Sequence, residues 1–540
     1  MNPLGASAGA EGYVTQSSNR VVSLVPGPMA TPETVLDPPR FQKLLDDEFF
    51  RPLVQEVRDG VPRLRMLVGD KWRDGDDLHD VVSPIDAKTT IARVPYADQG
   101  VVDAAVTAAF DARRAIRNLP GHRRLDVFDA ASRLLRDHQG TFMEVLMLEA
   151  GKPHHDQKGE TDAAADRFKA THGEAAHIYG EYLPGDWSAD TDGKIAMVIR
   201  EPLGVIACVN PFNYPLFIPT AKITPALLAG NTVVAKGSHQ TPVSILLLAH
   251  LLRESGFPAG TINAINGSGS VAGQALVEDE RVRLVSFTGS TTVGKKIYAE
   301  GGLKKYHLEL GGKGFSLVYD DADVPDAAAK NVAGACKNAG QRCDAVSASV
   351  VVQSVLESFQ EEAVKAVGSW KVGDPREEST KVGPLISEAA ARRVEDVVKD
   401  AVAKGAKVVA GGGRNGTYFE PTVLTGVTQD MRAANEEIFG PVLPVLAAKD
   451  AEEALEVATH TPYGLDSSVF TRDFQRMWRT AKRLNCGEVT INDLPKHGIG
   501  YFPFGGQRES GLGREGIGYS VDLMTELKTI VFTLGPRPKS

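Results

Sequence analysis

The chain has 540 residues, 60 Lys and Arg against 69 Asp and Glu, a formal net charge of −9, and a composition that is 42% hydrophobic and 24% charged. That length exceeds what one hydrophobic core organises, so two or more packed domains are expected. The sequence has neither a long basic run nor an apolar stretch long enough to span a bilayer, which argues against nucleic acid or a membrane as partner. The small, polar start lacks the apolar core of a secretory signal, so a cytoplasmic protein is expected. Cys208, Cys336, Cys343 and Cys486 form no Cys-x-x-Cys pair. No His/Cys spacing suggests zinc, so no metal is expected, and four such thiols fit a reducing compartment.

Residues 1–37, rich in Pro, Gly and Ser, read as a loose arm. Phe41, Leu44, Leu45, Phe49, Leu53 and Val57 recur at three- and four-residue steps. This predicts one amphipathic helix ending near Gly60, within an N-terminal extension over 1–64. Met66, Leu67 and Val68 before a Gly-Asp turn predict a short hairpin. Helical periodicity returns over 98–118, 123–138 and 141–150, and Gly151 follows as a C′ residue tolerant of positive φ. From residue 194 the rhythm becomes strand and helix in alternation. Strands are expected over 204–209, 232–235, 284–287 and 307–310, with helices over 242–255, 270–279 and 291–300. That is the pattern of a doubly wound α/β unit. A second alternating region runs from 349 to 491, while 195–200 and 528–533 read as strands outside both rhythms.

Four motifs carry candidate chemistry. Cys343 closes Asn338-Ala-Gly-Gln-Arg-Cys343. A buried, inert thiol and a nucleophile are both open, but Gly340 permits close backbone approach and Arg342 offers positive charge able to lower a thiol pKa. Glu309, between leucines and before Gly311 and Gly312, is either a structural carboxylate held by backbone N–H groups or Lys313, or a general base of raised pKa. Asn213 in Asn210-Pro-Phe-Asn-Tyr-Pro215 is either an Asx-turn residue or a donor to an oxyanion. Phe287-Thr-Gly-Ser290 leads from a strand into a helix start, whose free N–H groups attract phosphate.

Taken with Glu437-Ile-Phe-Gly-Pro-Val442 and Pro503-Phe-Gly-Gly506 with Ser510-Gly511, these motifs resemble those of the aldehyde dehydrogenase superfamily, over roughly residues 65–535. The resemblance implies an α/β fold with two doubly wound domains. A Rossmann-like NAD(P)-binding domain would span 65–311, with 494–514 returning to it. A catalytic domain would span 312–493, and 186–203 with 515–540 would form a β-strand oligomerisation arm joining a homodimer or homotetramer.

It further implies that Cys343 attacks a small-molecule aldehyde, that Asn213 and the Cys343 N–H hold the oxyanion, and that Glu309 activates the water that hydrolyses the thioester. Lys236 would meet the adenosine ribose, Gly289 and Ser290 the pyrophosphate, and Gly311, Glu437 and Phe439 the nicotinamide end, with Phe212 along the channel. The run Lys236-Gly-Ser-His239 lacks the ribose-binding carboxylate of many NAD-preferring members. Ser238 or His239 can then bond a 2′-phosphate, which favours NADP slightly over NAD, although His239 can equally face solvent.

The Gln-Arg-Cys tract and the loop around His497 resemble the non-phosphorylating glyceraldehyde-3-phosphate dehydrogenase branch, archaeal type. Arg342 and His497 would bind a substrate anion, unless Arg342 only tunes the thiolate. The expectation is oxidation of a small polar or anionic aldehyde, glyceraldehyde-3-phosphate-like first. Glyceraldehyde, lactaldehyde, succinate semialdehyde and phosphono- or sulfo-aldehydes remain open. A catalytically silent relative or a Cys-dependent esterase is the rival class.

Overall fold

The computed structural model describes residues 41–535; the arm expected over 1–37 lies outside them. Two open sheets organise the chain. In the first, five parallel strands run in the order Lys305–Glu309, Val282–Thr288, Val205–Val209, Thr232–Lys236, Ile262–Ile265. Gly511–Leu512 pairs antiparallel at one edge, and the hairpin Met66–Val68 with Lys71–Arg73 closes the other. Val205–Val209 and Thr232–Lys236 are buried throughout, because helices cover both faces of the sheet. Phe217–Leu228, one of those helices, is itself buried at every residue.

The second sheet has seven strands, ordered Lys407–Ala410, Thr422–Thr425, Val442–Ala448, Val346–Val352, Gly314–Val318, Asp466–Phe470, Glu488–Ile491, parallel except for the first pair. The fold is thus the expected α/β class. Strand order reverses about Val205–Val209, and a ligand site belongs at the carboxyl ends beside such a reversal. Asn210, Gly289 and Leu310 all follow those ends. Thr525–Thr533 pairs antiparallel with Lys194–Pro202 over nine residues, and Glu181–Pro184 adds a third strand. Among the described residues no helix is long and apolar enough to cross a membrane.

The single helix expected up to residue 57 does not form. Gln42–Asp46 is little more than one turn; Asp47 then accepts from Phe49 N and opens the 3₁₀ segment Glu48–Leu53. Pro52 has no N–H to continue a helical ladder, and Val54–Arg58 runs on as a strand paired with Val61–Leu64. The apolar spacing did mark core residues, since Phe41, Leu44 and Leu53 are buried, but Val57 is exposed. Likewise 270–279 is a π turn, Gly269–Gly273, followed by the short helix Gln274–Glu278.

Candidate active site

Cys343 follows a strained turn. The helix Val324–Cys336 ends in the 3₁₀ turn Lys337–Gly340, where Asn338, Ala339 and Gly340 have φ of 51°, 53° and 71°. A Cβ on Gly340 would come within 2.2 Å of the Gly440 carbonyl oxygen, so the position requires glycine for shape as well as for φ. Asn338 Nδ2 donates to Asn213 O at 3.0 Å, and Asn213 Nδ2 donates to Gln341 O at 2.8 Å. These bonds clamp the Asn213 loop to the cysteine loop, and the second N–H of the Asn213 amide remains to serve a ligand.

Burial, with Asp344 and Glu309 next in weight, holds the Cys343 thiol well above its ordinary range. The expectation of a lowered thiol pKa is therefore corrected: Arg342 does attract the thiolate, but burial and the carboxylates outweigh it. Arg342 Nη2 lies 2.6 Å from Asp344 Oδ2, and this buried partner offsets part of its charge. Nη2 also donates to Pro495 O at 3.3 Å, whereas Nη1 is buried without a hydrogen-bond partner among the described residues.

Glu309, the last residue of its strand, is also buried. Burial alone would raise its pKa, but Lys222 Nζ lies 3.6 Å from Oε2 and His307 Nε2 lies 3.4 Å from Oε1. The result is a carboxyl held below its usual range, opposite to the raised pKa expected of it. Lys313, the alternative partner considered from sequence, instead donates to the carbonyls of Ser347, Ala433 and Glu436. Lys222 also lies 3.5 Å from Glu515, and His497 Nε2 lies 3.0 Å from the other oxygen of Glu515. His497 Nδ1 sits 3.1 Å from Gly498 O, so both ring nitrogens are engaged within the protein.

No motif in the sequence marks Lys222 or Glu515, and His307 stands out there only as a histidine that a rival thiol hydrolase could pair with Cys343. A signal existed for the first: Lys222 is the only charged residue in Phe217–Leu228, and a helix so apolar buries a lysine only when it is paired.

Cys343, Glu309 and Asn213 share one cavity of about 640 Å³ with Lys236, Ser238, His239, Gly289, Ser290, Gly311, Glu437, Phe212 and Phe439. Arg342 and His497 do not line it. Its size suits a bound cofactor. Ser290 caps the helix Thr291–Glu300 with its side chain, and the start of that helix opens on the cavity. A Cβ on Gly311 would meet Glu437 Oε2 at 2.6 Å, so glycine there keeps the Glu437 wall close. Glu437 Oε1 accepts from Gly312 N at 3.3 Å, and burial raises its pKa to about 7. Phe212 and Phe439 meet edge to face at 5.8 Å. Burial lowers Lys236 to about 8. A glycine-lined floor, a helix start, a lysine and a half-buried carboxylate able to accept from ribose hydroxyls together fit a nicotinamide dinucleotide.

The fold and this cavity define an NAD(P)-dependent oxidoreductase. The model of the aldehyde dehydrogenase family matches residues 72–530, and the chain belongs to that family. It is 38% identical to the NADP-dependent glyceraldehyde-3-phosphate dehydrogenase of Streptococcus equinus, over 86% of this chain and 98% of that one. It is 33% identical to the 3-sulfolactaldehyde dehydrogenase of Priestia aryabhattai, over 88% and 99%. Among solved structures it is similar to the NADP-dependent glyceraldehyde-3-phosphate dehydrogenase of Bacillus halodurans C-125 complexed with NADP, with a TM-score of 0.85 and 36% identity over 87% of this chain and 99% of that one. The chain is an NAD(P)-dependent aldehyde-oxidising enzyme.

Proposed function

We propose that the enzyme oxidises a small hydroxyaldehyde with an anionic end, glyceraldehyde 3-phosphate or a close analogue, to its carboxylic acid. The observation that carries this reading is the buried, unpartnered Nη1 of Arg342, one residue before the thiol. An unsatisfied guanidinium N–H is costly to keep and binds an anion well. The two relatives described above are named for three-carbon 2-hydroxyaldehydes ending in phosphate or sulfonate, which agrees with this chemistry. His497, with both nitrogens engaged, supports the site through Glu515 rather than by a direct donor.

In the proposed reaction Cys343 gives up its proton to solvent and, as thiolate, attacks the aldehyde carbon. The free N–H of Asn213 Nδ2 and the Cys343 backbone N–H hold the oxygen as charge develops. NAD(P), held by the residues named below, would supply the hydride acceptor, and Cys343 would then carry the acyl group as a thioester. Glu309 then takes a proton from the water that releases the acid. Lys236 with Ser238 or His239 holds the adenosine ribose and its 2′ substituent. Gly289 and Ser290 face the pyrophosphate, and Gly311, Glu437, Phe439 and Phe212 position the nicotinamide end. The three-stranded arm, with Tyr182, Leu527 and Val531 exposed, would join subunits into a dimer or tetramer.

The test is kcat/KM for glyceraldehyde 3-phosphate, 3-sulfolactaldehyde and uncharged lactaldehyde, in the wild type and in Arg342→Gln. The anionic substrates should lose roughly 10- to 100-fold relative to lactaldehyde, the worth of a hydrogen bond to a charged group. An equal loss for all three would leave Arg342 as a residue that only tunes the thiol.

A further inference from the structure

The cofactor cavity does not end at His239. His239 and Gln240 also line a second cavity, of about 480 Å³, together with the strand Leu78–Val82, the edge of a four-stranded sheet ordered Val54–Arg58, Val61–Leu64, Thr90–Pro95, Leu78–Val82. His79 faces this junction. Its ring stacks on Tyr96 at 4.6 Å and 18°, and meets His239 edge to face with centroids 6.4 Å apart. Stacking fixes the plane of the His79 ring, and the two imidazoles stand close enough for one small anion to touch both.

Resting on the reading that Lys236 marks the adenosine ribose, we propose that His79 and His239 together grip the 2′-phosphate of NADP, and that His79 sets the preference for NADP over NAD. Both imidazoles carry N–H donors, and a phosphate bridging two rings and the Lys236 ammonium is matched in charge. Two of the acidic groups nearby are already paired. On the His79 strand, Asp80 is paired with Arg93 of the neighbouring strand at 2.9 Å. On the helix Glu388–Ala403, Glu388 is paired with Arg392 at 2.6 Å. Asp77, just before the strand, is different: its charge acts on Tyr96, whose phenol it helps burial to push up, and it is the part of this wall that works against an anion. Without a ligand His239 is held below its ordinary pKa by burial, by Lys236 and by His79. A dianion between them reverses that repulsion, so binding of NADP takes up protons and tightens as pH falls. The relevant window lies above about pH 6, where a phosphate monoester remains largely dianionic.

The test is calorimetric titration of the full-length enzyme with NADP and separately with NAD, at pH 6.5 and pH 8. The wild type is compared with His79→Asn and His79→Arg. His79→Asn should weaken NADP about tenfold at pH 6.5, leave NAD unchanged, and reduce the loss of NADP affinity between the two pH values. His79→Arg, which stacks on tyrosine and keeps its charge, should restore NADP binding at both. Two results overturn the inference while leaving the NADP reading intact. One is an unchanged ratio of the two Kd values in His79→Asn. The other is a loss shared by both nucleotides that arginine does not rescue. Equal wild-type Kd values for NAD and NADP would remove the NADP reading itself, and the inference with it.

Discussion

Glu309 and Glu437 line the same cavity, one buried and one half-buried, and their pKa values move in opposite directions. Glu309 is held below the ordinary carboxylate range, with Lys222 Nζ at 3.6 Å and His307 Nε2 at 3.4 Å. Glu437 is raised to about 7 by desolvation, which one backbone N–H at 3.3 Å and the more distant charges of Arg393 and Lys313 do not offset; Lys313 is itself spent on three carbonyls. Burial acts on both alike; the partner decides the sign. The Glu309 wall therefore carries a charge at neutral pH, while the Glu437 wall titrates near neutrality. In the proposed mechanism that division has a use: a charge beside the thioester that is present before water arrives, and a cofactor contact that changes with pH.

The comparison breaks most severely at Lys222. Lys222→Met leaves Glu309 and Glu515 buried with no ammonium between them, and should cost about 3–5 kcal/mol at neutral pH in chemical denaturation. The sign of its pH dependence is fixed. In the wild type Glu309 is depressed, so its contribution is present above its unfolded pKa and is lost as pH falls through the lower folded one. In the variant the carboxyls are raised, so the deficit should shrink as pH drops from 7 towards 5. A deficit independent of pH would mean that Lys222 acts by packing alone. The smaller effect is at Glu437. Its ionised form accepts best from ribose hydroxyls, so NAD should bind more tightly as pH rises from 6 to 8. Glu437→Gln should flatten that curve and weaken NAD binding roughly three- to tenfold at pH 8. NAD is the nucleotide to use, because it lacks the 2′-phosphate whose binding runs the other way. A slope that survives in the variant would assign the titration to another group.

Much of this architecture was legible in the chain because its strands are near-continuous apolar runs and its helices carry clear stops, such as Gly151 at φ 70°. The motif residues converge because each follows the carboxyl end of a strand or the turn packed against it. What could not be read is pairing. Arg342 beside Cys343 suggested an activated thiol, yet burial and Asp344, one residue further on, outweigh that charge. Glu309 suggested a raised base, yet its pKa is set by Lys222, 87 positions earlier in the chain and one helix away. Apolar spacing up to Val57 suggested a helix, because periodicity records which residues are buried and not whether a turn and a strand bury them. His79 carried no local signal at all; only the meeting of two sheets places it beside His239.

The central claim is that Cys343 carries the acyl group and Glu309 releases it. It is tested most directly by mixing Glu309→Gln with NADP and glyceraldehyde 3-phosphate, quenching in acid, and weighing the peptide that contains Cys343. A burst of reduced cofactor equal to the enzyme present should appear together with the acyl mass on Cys343, and steady turnover should fall roughly 10²–10⁴-fold. Full turnover without an adduct, or an adduct on any other residue, would contradict it.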